Sequence, residues 1–151
     1  MPKFIPVVGC VRSVVVDDSL RVWEIRNHRL NARYANNKEP IPFEVHSAWF
    51  ARMYFNGANN HCFVLEISGV TQAFCRLDQK DASYVVSVVV DPDHQGVGIG
   101  GYLLKESLKL VQTDTPIIAR ILKDNIRSII LFVRTGFKLF KEDAVSYYFR
   151  F

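Results

Sequence analysis

From Tyr84 to Val111 the spacing of apolar residues changes from that of a strand to that of a helix, across a glycine-dense loop. Val85, Val86, Val88, Val89 and Val90 form a β-branched run broken only by Ser87, the pattern of a strand covered on both faces. Asp91-Pro92-Asp93 ends it, because Pro92 has no N–H to donate and aspartate favours turns. After Gln95-Gly96-Val97-Gly98-Ile99-Gly100-Gly101, residues Leu103, Leu104, Ser107, Leu108 and Val111 share one helix face, opposite Lys105, Glu106 and Lys109.

Upstream, Val7 to Val16 predicts a first strand centred on Val14-Val15-Val16. Asp17 and Asp18 are placed to cap a short helix carrying Leu20 and Trp23. A polar stretch from Arg26 to Lys38 follows, closed by Pro40-Ile41-Pro42. Pro42 suits the first turn of a second helix, with Val45, Trp49, Phe50 and Met53 on its apolar side. Phe63–Ile67 and Ala73–Leu77 read as strands paired across Ser68-Gly69. Downstream, Pro116–Leu122 is a strand, Asp124 or Asn125 caps a helix over Ile126–Arg134, and Gly136 ends it in the left-handed region. Phe137–Phe140 and Tyr147–Phe151 form a terminal hairpin. Strands and helices interleaved in this order predict an α/β (α+β) fold, a mixed central sheet flanked by helices, as a single domain over 1–151.

Composition narrows the class. The chain has 151 residues, 49% hydrophobic and 13% aromatic, which suits one domain with a substantial core. No apolar run approaches the roughly 20 residues of a membrane span, and the N-terminus lacks a signal-peptide pattern. Cys10, Cys62 and Cys75 are odd in number and widely spaced, read as reduced buried thiols of a cytoplasmic protein. His28, His61 and His94 are scattered, so no metal is expected. The net charge of +4 favours anionic ligands, but the basic residues form no run. A phosphate-rich cofactor and substrate explain it without nucleic acid or membrane.

Four glycines in six positions leading into a helix suit a backbone that approaches a phosphate or pyrophosphate closely. A P-loop needs Lys-Ser/Thr after its last glycine, where this chain has Gly101-Tyr102. A dinucleotide fingerprint fits the spacing only with Gly98 as its second glycine and Gly101 as its third, and the missing acidic ribose ligand and the Asp-Pro turn before the loop count against it. The order Gln95-x-x-Gly98-x-Gly100, after a strand ending in Asp91-Pro92 and before a leucine-rich helix, resembles the acetyl-CoA loop of the GNAT N-acetyltransferase superfamily. Ala119-Arg120, Asn125, Ser128, Leu131-Phe132 and Gly136-Phe137 resemble its second cofactor motif.

The resemblance implies acetyl-CoA as co-substrate. The N–H groups of Val88 and Val90 would pair with pantetheine, the loop Gln95, Gly96, Val97, Gly98, Gly100 and Gly101 would hold the pyrophosphate, and Asn125, Ser128 and Phe132 would line the arm. Trp23-Glu24-x-Arg26-Asn27, Arg33 and Pro42-x-Glu44-x-His46-x-x-Trp49-Phe50 are similar to the branch that acetylates nucleotide-linked amino sugars. That implies a small-molecule amine acceptor bound by Arg26, Asn27 and Arg33, and a monomer or homodimer. Protein or peptide N-acetylation and a non-catalytic acyl-CoA-binding module are the rival readings.

Acetyl transfer to an amine needs a base to take its proton. His46 and Glu24 are the candidates, with Ser87 a possible relay and the Val88 N–H an oxyanion donor. Phe132 stands where many relatives have the tyrosine that protonates the leaving thiolate. Tyr84, Tyr147 and Tyr148 are the alternatives.

Overall fold

The structure, a computed structural model, describes residues 9–151. Seven strands form one sheet: β1 (Cys10–Ser13), β2 (His61–Ile67), β3 (Val70–Lys80), β4 (Ser83–Val90), β5 (Ile117–Leu122), β6 (Lys138–Glu142) and β7 (Ser146–Arg150). Their order is β1-β2-β3-β4-β5-β7-β6. Every neighbouring pair is antiparallel except β4 with β5. Parallel neighbours need a crossover, and α4 (Ile99–Val111) supplies it.

Alternation along the strands builds a core on each face. Phe63, Leu65, Ala73, Cys75, Leu77, Tyr84 and Val86 pack with Ile99, Leu103 and Leu104 of α4, and with Phe132 of α5 (Ile126–Thr135). On the other face Cys62, Val64 and Phe74 meet Val22 and Ile25 of α1 (Ser19–Asn27) and Phe50 of α3 (Phe43–Tyr54). A short helix, α2 (Arg29–Ala32), lies between α1 and α3 in sequence.

The mixed sheet, the hairpins, the Asn125 cap and the left-handed Gly136 (φ 107°) match the sequence expectations. Five local readings are corrected. The first strand, whose predicted start at Val7 and Val8 lies outside the described residues, ends at Ser13. Val15 and Val16 are exposed, because Asp18 turns the chain by accepting from the Val15 N–H and pairing bidentately with Arg12. Asp18 is the residue before α1 yet provides no side-chain cap to it, its carboxylate being used by Arg12. Pro42 precedes the first turn of α3 rather than lying in it, and the buried stripe of that helix is His46 and Phe50, with Val45 turned outward. Cys62 and Cys75 are buried but Cys10 is exposed. Burial pushes the Cys75 thiol up to about 12 and the Cys62 thiol up as well, so neither is a ready thiolate. No described helix is long and apolar enough to cross a membrane.

Candidate active site

The site begins where the sheet opens. Strands β4 and β5 pair only at Tyr84–Ile117 and Val85–Ile118. Beyond these residues β4 continues beside β3 to Val90, and β5 continues beside β7 to Leu122. Each keeps its outer partner while the inner edges separate into a wedge. The Tyr84 N–H donates across to the Pro116 carbonyl, whereas the Asp91 N–H donates the other way, to Gln72 of β3. Main-chain groups alternate sides along a strand, so Val86, Val88 and Val90 present theirs to the wedge. Unpaired main-chain donors and acceptors on an open strand edge receive an extended amide-bearing chain as an added strand.

The glycine loop closes one end of the wedge. Gly96 and Gly98 are left-handed, at φ 82° and 89°. Gly98 is the residue preceding α4, and the first turn of that helix has neither a capping side chain nor an acidic residue. Its free N–H groups and the helix dipole are complementary to phosphate. Gly100 has a different reason to be glycine: a Cβ there would lie 2.7 Å from Leu131 Cδ1 and 3.4 Å from Val90 Cγ2, so it lets α4 approach α5 and β4. A Cβ on Gly101 would have nothing within 4 Å, and Val97 is exposed on the loop.

The Gln95 side chain braces this loop. Its Nε2 donates to the Val90 carbonyl and to Asn31 Oδ1, both at 3.0 Å, and its Oε1 accepts from Arg127 of α5. Asn31 itself donates to the Val90 and Ile25 carbonyls. One amide pair thereby joins α2, the end of β4, the glycine loop and α5. On the far side of the wedge Asn125 Oδ1 accepts from the Ser128 N–H, and both residues line the same cleft. Phe132 is buried edge-on against Phe137, a core residue that reaches the cleft.

From the wedge the cleft, about 3020 Å³ in all, continues over the α3 face of the sheet. Ser87 and Arg76 sit opposite one another on β4 and β3, beside His46 and Trp49 of α3 and Arg26 of α1. His46 is buried among Phe43, Trp49 and Phe50, with its Nε2 unpartnered. Burial lowers its pKa, against the pull of the Ser19 backbone, and the charges of Arg76 and Arg26 lower it further. The imidazole is therefore neutral at pH 7, with a lone pair available to accept a proton.

The remaining sequence candidates are dispersed. Glu24 lies outside the cleft, exposed and paired with Arg21. Asn27 is occupied with the main chain of Ile41, accepting from its N–H and donating to its carbonyl. Arg26 reaches the cleft while donating to the Asn37 and Glu39 carbonyls. Arg33 lies over the Tyr34 ring at the rim. Of the tyrosines, Tyr84 is buried and donates to the Asn59 carbonyl, Tyr147 packs on Phe149, and Tyr148 reaches the cleft with its hydroxyl bonded to Asp143. Among the described residues no group of His, Cys, Asp and Glu is arranged to hold a metal.

Two residues of the site were missed by sequence reasoning. Arg76 had a signal, a lone cation inside the apolar alternation Ala73-x-Cys75-x-Leu77. Asn31 had none, being one polar residue in a polar segment.

A family model described as Acetyltransferase (GNAT) family matches residues 22–137. No curated protein sequence matches the chain significantly. Among solved structures it is similar to an N-acetyltransferase from Staphylococcus aureus Mu50, with TM-score 0.81 and 20% identity over 96% of this chain and 98% of that one. A ribosomal-protein-alanine N-acetyltransferase from Brucella melitensis superposes with TM-score 0.80 at 19% identity, covering 94% and 98%. A phosphinothricin acetyltransferase from Sinorhizobium meliloti, solved with acetyl-CoA, gives TM-score 0.80 at 19% identity, covering 96% and 88%. At such identities the likeness to these structures is one of fold.

Proposed function

The chain belongs to the acetyltransferase (GNAT) family, acyltransferases that use acetyl-CoA as co-substrate, and on that premise we propose that it acetylates the primary amine of a small anionic acceptor. A nucleotide-linked amino sugar is the acceptor class in view, and residues 1–151 act as one catalytic domain. The observation that carries this reading is the wedge between β4 and β5, which ends on the uncapped N-terminus of α4 and runs on over the α3 face. A long cofactor arm and a separate acceptor thereby have a common meeting point at Val88.

Acetyl-CoA supplies an activated acyl group. The pyrophosphate fits the first-turn N–H groups of α4, which no side chain caps, and the pantetheine amides fit the wedge-facing N–H groups of Val88 and Val90. Asn125 and Ser128 flank the arm from α5. The Val88 N–H donates to the carbonyl oxygen as negative charge develops on it. His46, neutral and with Nε2 free, takes the amine proton directly or through water, and Ser87 stands on the same sheet face to relay it. The basic excess of the lining, ten lysines and arginines against four aspartates and glutamates, favours acceptors that carry negative charge.

Thiol release from acetyl-CoA tests this reading, with UDP-, GDP- and dTDP-linked amino sugars beside N-terminal peptides. Turnover on a nucleotide sugar, lost in His46→Gln with acetyl-CoA affinity retained, is the expected result. Turnover on peptides alone would overturn the acceptor class. Tight CoA binding without any turnover on either panel would count for a binding module.

A further inference from the structure

The α3 side of the cleft contains a cation whose one carboxylate partner is shared. Arg76 lies at mid-strand in β3, between the buried Cys75 and Leu77, and its side chain is only 28% exposed. Its guanidinium rests over the Trp49 ring, 5.0 Å from the centroid. That contact fixes the plane of the group without using its N–H donors. Its Nε is buried and makes no hydrogen bond. Among the described residues its single ion pair is with Asp78 at 3.3 Å. The Asp78 carboxylate is shared, accepting from Tyr54 Oη at 2.7 Å. A second cation, Arg26, lines the same wall, and its hydrogen bonds are to main-chain carbonyls and an amide oxygen, none of which carries negative charge. Of the two guanidinium groups only Arg76 meets a carboxylate, which it shares with Tyr54, in a place where desolvating charge is costly unless it is paired.

The location gives this excess charge a direction. Arg76 is the register partner of Ser87, the residue before Val88. The Cα atoms of such pairs are about 5.5 Å apart or less, so Arg76 leaves the sheet on the α3 face next to Ser87, one residue from the proposed meeting point at Val88. We propose that Arg76, held on Trp49 and supported by Arg26, is the seat of an oxyanion of the acceptor, a carboxylate or a phosphate, and selects charged amines over neutral ones. The proposal rests on the acetyltransferase reading for the identity of the acceptor side, and goes beyond it by naming the group that is recognised. A planar guanidinium binds either oxyanion through paired N–H donors.

The test compares matched amines: glucosamine 6-phosphate against glucosamine, and α-amino acids against their decarboxylated amines. Wild type, Arg76→Gln, Arg76→Lys and Asp78→Asn are each assayed for thiol release. Acetyl-CoA affinity is measured separately by calorimetry, so that a failure of the acetyltransferase reading is seen there and not confused with this one. In wild type the charged member of a pair should be preferred. Arg76→Gln should reduce kcat/KM for it about 10- to 100-fold with little effect on the neutral member or on acetyl-CoA affinity. Arg76→Lys should keep part of the preference, and Asp78→Asn, by removing the competing carboxylate, should lower KM for the charged member. The phosphate and carboxylate pairs report separately which oxyanion is taken.

If no amine turns over, the same pairs are compared by thermal shift with CoA present. A stabilisation by the charged member that Arg76→Gln abolishes supports the seat. Equal behaviour of charged and neutral members in wild type, or parallel losses in Arg76→Gln and Asp78→Asn, would overturn it and leave Arg76 as the structural partner of Asp78.

Discussion

At the residue scale, the glycines of the loop separate two roles that look alike in sequence. Gly98 is left-handed at φ 89°, where an L side chain is strained by about 1–2 kcal/mol. Gly98→Ala should lower Tm by roughly 3 °C, taking a few degrees per kcal/mol for a chain of this size, and raise KM for acetyl-CoA. Gly101 lies within α4 with open space where a Cβ would sit and no positive φ. Gly101→Ala should therefore raise Tm, because alanine is favoured over glycine in a helix by about 0.5–1 kcal/mol. If the cofactor backbone approaches as closely as proposed, the same variant weakens acetyl-CoA binding while gaining stability. Calorimetric binding beside a melting curve separates the two, and gains in both would mean that the loop is not closely covered. Gly100 is held for a third reason, the close approach of α4 to Leu131 and Val90. The glycine density was plain in the sequence, but which glycine answers to the ligand depends on φ and on neighbours distant along the chain.

At the element scale, the wedge is kept in shape by side chains from outside the sheet. Asn31 of α2 and Gln95 of the loop both donate to the Val90 carbonyl, at the end of β4 where β5 no longer pairs. Removing Asn31 leaves a partly buried carbonyl with one donor in place of two and frees the Gln95 amide. Asn31→Ala should destabilise the protein by about 1 kcal/mol and raise KM for acetyl-CoA and for the amine together, since α2 lies on the acceptor side. Steady-state kinetics on both substrates provide the check, and a change confined to the amine would show that the brace does not reach the loop. The strands and major helices were legible from periodicity, because one face of each is buried against a partner of the same period. α2 is four residues of mixed polarity held by Asn31 and the His28 turn, and such a segment leaves no periodic trace. The stripe of α3 takes His46 in place of Val45 for a related reason: a buried histidine looks polar in sequence, whereas the exposed Val45 looks apolar.

At the scale of the whole molecule, buried and half-buried titratable groups spread over both faces of the sheet set the response to pH. Burial lowers the pKa of His46 and of His61 below the usual 6.5. Between the folded and unfolded values the unfolded chain binds more protons. Their contribution to stability is thus complete above pH 6.5 and is lost as pH falls through the lower folded values. For Asp18 burial acts upward, but hydrogen bonds from Arg12 and the Val15 N–H outweigh it and hold the carboxyl below 3.8. Asp91 is lowered in the same manner by Arg21 and the Asp93 N–H, against its own burial. Those contributions are complete above 3.8 and lost as pH falls below it. Tm should accordingly decline in two stages, one below pH 6.5 that His46→Phe flattens, and one below pH 4 that His46→Phe leaves unchanged. A decline unaffected by His46→Phe would show that folding does not shift the imidazole pKa.

The sequence by itself determined the mixed sheet, the strand, glycine loop and helix in succession, the Asn125 cap and the hairpin at the end of the chain. Each depends on neighbours within one or two turns, where period, caps and glycine are decisive. Only the tertiary structure decided which side chains share the acceptor side of the cleft. It brought Arg76 and His46 from β3 and α3 to Ser87 on β4, turned Glu24 outward and occupied Asn27 with Ile41. Those positions follow from strand register and helix rotation, which are set by packing across the whole sheet and leave only a faint mark on any single stretch of chain.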